Sequence, residues 1–429
     1  MRSRTALRTA GRSSAVAVIA GRGSWTLLTN VGTKVEAATL LAAGAVGGGL
    51  GGVGRASAAF AAATLAASIA DFGYSAESAR YLAASRTAGG VRLAVRGTGR
   101  RLPLALIAGF VAAAIVLKGA ADPAALLLVG LLAAALFAST AGMQLLYGLS
   151  EFRRSSIASL WLRGGLSPVI VLLGHRYGFH GVLLGLVAIE TLVALRYLAL
   201  INRVRRGLPA GTAPEAGPSV RHLWLGVAGL TNTLINRSDA ALVSTATSAT
   251  AVGVYTLASQ LENGVTTIAI APGASVPTFV AGARAGGGEY REHVVRTAKL
   301  VGALAAAGGV AVFALMLLPP VRALFAGQAP FGDFLAAVAL CMVAAPASAS
   351  GGVLLSAVVG EGRHRAVGVS WLALGALSVP VLWMLAHGFG AVGAAAGALC
   401  RDLILFAVGV AAWRRAGLDP SRGVPDADR

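Results

Sequence analysis

Residues 151–182 read EFRRSSIASLWLRGGLSPVIVLLGHRYGFHGV, and residues 361–392 read EGRHRAVGVSWLALGALSVPVLWMLAHGFGAV. A shift of 210 places brings Glu151 onto Glu361, Arg153 onto Arg363, Trp161 onto Trp371, Gly178 onto Gly388 and Phe179 onto Phe389. Both stretches are apolar and long enough to cross a bilayer. The chain therefore reads as an internal duplication of a membrane-spanning unit, the pattern of a transporter built from two like halves around a central path.

The composition agrees. Of 429 residues, 56% are hydrophobic and 12% charged, and the mean hydropathy is +0.75. Crossing roughly 30 Å of hydrocarbon takes about 20 helical residues at 1.5 Å each, and the sequence offers about twelve such runs: 25–48, 56–79, 102–120, 123–147, 157–176 and 180–200 in the first half, then 222–247, 252–276, 295–319, 333–358, 366–386 and 390–412. The runs are continuous rather than alternating, which excludes a transmembrane β-barrel. The expected fold is all-α, with two six-helix bundles related by a pseudo-two-fold axis along the membrane normal. The expected domains are 1–205, a linker at 206–221, 222–415, and a tail at 416–429.

The net charge of +19 is a topology signal rather than a nucleic-acid footprint. Basic residues collect on alternate connections: the amino-terminal arm, Arg80 to Arg101, Arg153–Arg154, Arg203 to Arg221, Arg284 to Lys299, Arg363 and Arg365, and Arg414–Arg415. The opposite connections hold Arg55, Lys118, Arg176 and Arg322. The positive-inside rule then puts both termini in the cytoplasm and makes the number of spans even. No cleaved signal is expected, and Cys341 and Cys400 read as buried apolar residues.

The Gly49–Gly54 stretch fits G-x-G-x-x-G, yet it sits in a turn between two membrane helices, where no strand precedes it. Its glycines serve a tight turn and close packing. The six histidines lack metal-ligand spacing, and no nucleophile–base grouping stands out. No catalytic residue, metal or cofactor is expected.

Charges inside the spans carry the functional signal, because each costs about 2.5–3.5 kcal/mol at mid-bilayer without water or a partner. Lys34 and Glu36 lie in span one, Arg237 and Asp239 in span seven, and Glu262 in span eight; Arg163, Glu190, Arg196, Arg401 and Asp402 lie nearer the ends. Lys34 and Arg237 read as cavity cations that meet an anionic group on the substrate. Glu36, Asp239 and Glu262 read as ion-coupling groups or as members of interhelical ion pairs, and Arg163 and Arg196 as snorkelling residues near an interface or partners for Glu190. Asp71 and Arg80 read as a helix break with an ion pair, at a level where a cytoplasmic gate would use the same residues.

The stretches Ala70-Asp71-Phe72-Gly73-Tyr74 and Arg80-Tyr81-Leu82-Ala83 resemble the signature after span two of Wzx-type polysaccharide flippases. Asn236-Arg237-Ser238-Asp239, the run Val252 to Ala258, Pro277, and Leu324-Phe325-Ala326-Gly327 are similar to that family's later motifs. The family belongs to the MOP (multidrug/oligosaccharidyl-lipid/polysaccharide) flippase superfamily, with MATE exporters and lipid II flippases. The resemblance implies a multi-pass protein of the bacterial cytoplasmic membrane that moves a polyprenyl-diphosphate-linked oligosaccharide to the outer leaflet by alternating access. Its partners would be that lipid-linked oligosaccharide, membrane lipids and glycan-polymerising or other polysaccharide-assembly proteins, with the carrier itself a monomer. The alternatives are a MATE-type drug or cation antiporter of the same fold, and a membrane-bound glycan polymerase or ligase, which would need a large catalytic outer loop.

Overall fold

The computed structural model describes residues 2–117, 122–211, 223–236, 238–273, 276, 279–280, 290–319, 322, 331–361 and 363–417. Arg237, Pro277, the 324–327 turn, most of the expected linker and the tail beyond 417 lie outside them. Among the described residues all regular structure is helical, as lipid demands of a backbone that must satisfy its own hydrogen bonds.

Among the described residues, seven elements are long and apolar enough to cross a membrane, and three of these double back. The helix Arg2–Asp71 reverses at Gly48–Gly49, Pro168–Arg206 at Gly178, and His364–Gly417 at Gly390. Reversal is visible in the packing: a Cβ on Gly44 would stand 2.8 Å from the Val53 Cα, one on Gly185 3.1 Å from the Ile170 Cα, and one on Gly397 2.7 Å from the Leu382 Cα. Gly178 (φ 58°, ψ −138°) and Gly390 (φ 59°, ψ −133°) hold backbone angles open essentially to glycine alone. The remaining passes are span seven, in two pieces Leu223–Asn236 and Asp239–Ala246, and span eight, Ala249–Ala269. The described residues thus make twelve crossings.

Buried side chains form two main cores. One gathers residues from Leu40 to Ile201; the other runs from Ala228 to Trp413 and also takes in Leu50 and Ala61. The two halves repeat each other at contact level, although the register differs from the 210-place shift read in the sequence. In the last hairpin of each half the separation is 212: Gly178 matches Gly390, Pro168 matches Pro380, and Ile170 beneath Gly185 matches Leu382 beneath Gly397. The buried positions follow the same offset, so Gly390, not Gly388, is the counterpart of Gly178. Burial fixes a helix face, and two residues amount to about 200° of rotation; the identities at 210 cannot override it. In the first hairpins the separation is 199. Arg153 stacks over Trp25 at 5.7 Å and Arg365 over Trp224 at 5.9 Å, which is the pseudo-two-fold expressed in one cation–π pair per half.

The turns carry a direct test of this register. Gly178→Ala and Gly390→Ala should each cost about 1–3 kcal/mol through backbone strain, read as a lower midpoint of thermal unfolding in detergent. Gly388→Ala should leave the midpoint unchanged, since an added Cβ there meets nothing within 4 Å.

Candidate functional site

Each bundle encloses a cluster of ionisable side chains. In the first, Arg163 sits on a π-helical turn, Leu160–Gly165, inside span five. Such a turn is a single-residue widening that re-aims the side chains around it. The Arg163 guanidinium grips Glu190 of span six through two parallel bonds, Nε to Oε1 at 2.6 Å and Nη2 to Oε2 at 2.9 Å. It reaches Glu36 of span one at 3.5 Å, and donates to Ser139 at 3.1 Å and Ser159 at 3.4 Å. The Ser139 hydroxyl in turn donates to Glu190. Glu36, Arg163 and Glu190 are 4%, 5% and 1% exposed. Among the described residues, Glu36 Oε1 has no hydrogen-bond donor.

In the second bundle, Arg401 and Asp402 are adjacent on span twelve and bond at 2.8 and 3.0 Å. Arg401 also donates to the Ile235 carbonyl at 2.8 Å, and stands 3.6 Å from Asp239 and 3.9 Å from Glu262. Asp239 opens the second piece of span seven. There it accepts the Tyr255 hydroxyl at 2.6 Å and the Ala240 N–H at 2.8 Å, in the first helical turn, where a carboxylate is favoured. Ser238 precedes it with non-helical angles (φ −118°, ψ 12°). A helix interrupted within the membrane frees backbone groups, and such interruptions are tolerated where they are buried in protein or line a cavity.

The clusters are equivalent but not identical. At the 212-residue offset Glu190 corresponds to Asp402. The cations do not correspond, since Arg163 matches Gly375 and Arg401 matches Ile189. Lys34/Glu36 and Arg237/Asp239, read from the sequence as equivalent pairs, are one helical turn out of step, because the 199-residue offset of the first hairpins sets Glu36 opposite Ile235.

Of the residues singled out in the sequence, Glu36, Asp239 and Glu262 thus join ion clusters. Lys34 lies half-buried on span one, about 200° around the helix from Glu36, so it leaves the helix away from the first cluster. Arg237 is outside the described residues. Asp71 ends span two, and its carboxylate accepts from the Ser75 N–H at 3.0 Å and from the Ser75 hydroxyl; Arg80 is exposed. The cation that closes this end is Arg101, which donates to the Ala70 and Asp71 carbonyls at 3.0 Å and stacks 4.4 Å over Tyr74. Sequence reading ranked Arg163, Glu190, Arg401 and Asp402 second because they fall near span ends. The 212-residue offset, which aligns two acids, was the available signal.

The bundles meet along one seam. A Cβ on Gly54 would strike the Ala249 carbonyl, and one on Gly253 the Leu50 carbonyl; both glycines and both carbonyl residues are 199 apart. Further along, Ser68 donates to Thr233 at 3.1 Å. Nearest the basic connections, Phe72 covers Gly226, with its carbonyl oxygen 2.8 Å from where a Cβ would stand.

Neither a protein-family model nor a curated protein matches the sequence. Solved structures do share the fold. An inward-facing multidrug resistance MATE family transporter of the MOP superfamily aligns over 91% of this chain and 96% of its own, at 17% identity and a TM-score of 0.63. A mutant of the Vibrio cholerae MATE transporter VcmN aligns over 94% and 98%, at 13% identity and 0.58. The lipid II flippase MurJ, in an inward closed conformation, aligns over 92% and 90%, at 12% identity and 0.64. The chain has the MOP fold.

Replacing Arg163 by Met would leave Glu36 and Glu190 in the same dry space without their cation. Breaking a buried ion pair from one side costs about 3–5 kcal/mol. The expected result is a strongly lowered thermal midpoint that largely recovers when Glu36→Gln and Glu190→Gln are added, because the stranded charges are then gone.

Proposed function

We propose that this chain is a transporter of the bacterial cytoplasmic membrane that moves a polyprenyl-diphosphate-linked oligosaccharide to the outer leaflet, alternating between openings on its two faces. The observation that carries this reading is the pair of pseudo-symmetric bundles, each closed around its own ion cluster and joined to the other along a single seam of small residues. Bodies that keep their charged groups inside can rock about such a seam without exposing charge to lipid. A diphosphate and its sugars cannot enter hydrocarbon, so the carrier must supply cations on its path while the lipid tail stays outside. Lys34 and Arg237, on the spans that open the two halves, are assigned that contact. The basic connections favour cytoplasmic termini, and the motifs around Asp71 and Val252–Ala258 favour the oligosaccharide carriers within the fold.

One observation favours a second reading, a cation-coupled or drug antiporter. The first cluster holds two carboxylates for one guanidinium and the second holds three. A dry interior tolerates unbalanced charge poorly, and the excess acids suit proton or cation binding. In the preferred reading the same acids, Glu36, Asp239 and Glu262, would couple transport.

Export of surface glycan separates the two. Lys34→Ala and Arg237→Ala should each abolish it, at unchanged protein level in the membrane, and lipid-linked intermediates should accumulate in the inner leaflet. Normal glycan export in both variants, together with lost drug resistance in Glu36→Gln or Glu262→Gln, would select the antiporter.

A further inference from the structure

Span three, the helix Ala88–Val116, carries Arg92, Arg96 and Arg100 at i, i+4 and i+8, an arc of about 80° at 100° per residue. All three are exposed. The helix contains no carboxylate, and among the described residues no acid stands within ion-pair distance of any of them. What distinguishes this stripe is the direction it faces. Leu104, Ile107, Val111 and Ile115, further along the same helix, are 49%, 59%, 51% and 62% exposed and lie within about 60° of Arg100 around the axis. The opposite side, with Val91, Ala94, Ala105, Gly109 and Ala113, is buried in the bundle. The arginines therefore continue the lipid-facing side of the helix to the level where hydrocarbon ends. They face neither the seam nor an ion cluster.

The corresponding helix of the other half, Arg291–Met316, also exposes its cations Arg291, Arg296 and Lys299, but two of the three are held by partners within the protein. Arg291, the counterpart of Arg92 at the 199-residue offset, donates to the Trp413 carbonyl at 3.0 Å and stacks over the Trp413 ring at 4.7 Å. Arg296 pairs with Glu292 at 2.5 Å. A positive-inside signal would be met by either helix; three guanidiniums aligned on the lipid-facing side and without acids suit a further task.

We propose that Arg92, Arg96 and Arg100 form a docking stripe for the phosphates of anionic phospholipids in the leaflet on the basic side. Guanidinium forks pair with phosphate oxygens through two donors at once, and the apolar residues beneath accept the acyl chains. The stripe lies on one half of the molecule, so a bound lipid annulus would anchor the first bundle at a fixed depth and leave the second free to move against it. The inference does not depend on what the protein carries.

The test uses the full chain purified in detergent, with phosphatidylglycerol or phosphatidylcholine of the same acyl chains added, and bound lipids counted by native mass spectrometry. Phosphatidylglycerol should be retained in preference. Its apparent affinity should fall about fivefold per arginine removed at low salt, approaching a hundredfold in R92Q/R96Q/R100Q, with no change in R296Q. If the triple variant fails to insert, Arg96→Gln alone should show the single fivefold loss and R92K/R96K/R100K should keep most of the binding. Equal retention of the two lipids, an unchanged affinity in the triple or single variant, or an equal loss in R296Q would overturn the proposal. So would displacement of phosphatidylglycerol from the wild-type chain by undecaprenyl diphosphate at equimolar amounts, which would make the stripe an entry point for an isoprenoid diphosphate instead.

Discussion

A guanidinium in the middle of a helical bundle commits the helices around it. The bidentate grip of Arg163 on Glu190, and the reach of Arg401 to the Ile235 carbonyl, Asp239 and Glu262, are the constraint on which the remaining packing depends. Outside such a grip a buried charge would cost several kcal/mol, and the hydrophobic effect, which gives little preference between helices in lipid, could not offset it. The ion cluster therefore selects which helices are neighbours. Arg163 ties span five to spans one and six; Arg401 ties span twelve to spans seven and eight. The alanine- and glycine-rich surfaces that fill the rest of each core are permissive, and they would pack in several registers if the ionic centre did not choose one.

The seam between bundles obeys a different logic. There the contacts are between backbones, with Gly54 against Ala249 and Gly253 against Leu50, and the polar groups are hydroxyls such as Ser68 and Thr233. None of these contacts carries the cost of separating charges. Strong, charge-bearing interactions lie within each bundle and weak, small-residue ones lie between them, which is the distribution a pair of rocking bodies requires. At the basic end the seam is capped by Phe72, a non-glycine residue at φ 37° whose strained position is held by Arg101 on the Ala70 and Asp71 carbonyls. Strain maintained by a neighbouring cation persists only while that cation stays in place.

The sequence made the membrane class, the all-helical fold, the duplication and the twelve crossings legible, because each follows from long-range composition or run length. It also marked the turn glycines near 49 and left Gly178 between two spans. It misplaced the register of the repeat by two residues. Glu151/Glu361 and Trp161/Trp371 are identities at 210 places, whereas the face that each residue presents is set by packing against other spans, which a linear comparison does not contain. Half of the cluster residues were ranked second, although the pairing of Arg163 with Glu190 was among the expectations. Arg163 and Arg401 look like interfacial residues by position along the chain, and only a π-helical turn in one case and a carboxylate on the adjacent residue in the other bring them inside. The Asp71–Arg80 pairing was chosen by proximity in sequence, and a cation from the next helix, Arg101, occupies the place instead.

The two clusters have diverged in a way that bears on how the halves could move. In the first, the cation sits on a widened turn of span five and the helices of the cluster are otherwise continuous, so displacing Arg163 means shifting a whole helix. In the second, cation and acid are neighbours on one helix, and the partner that crosses the cluster, Asp239, heads the second piece of an interrupted span. Asp402 and Arg401 can keep each other while the second piece of span seven turns about Ser238, with its non-helical angles, and carries Asp239 toward or away from them. Its 3.6 Å approach to Arg401 and its bond to Tyr255 are made through one carboxylate to two different helices. The duplicated fold thus contains one half whose ionic centre resists deformation and one whose centre is hinged, so a cycle of opening and closing would draw its flexibility from the carboxyl-terminal bundle.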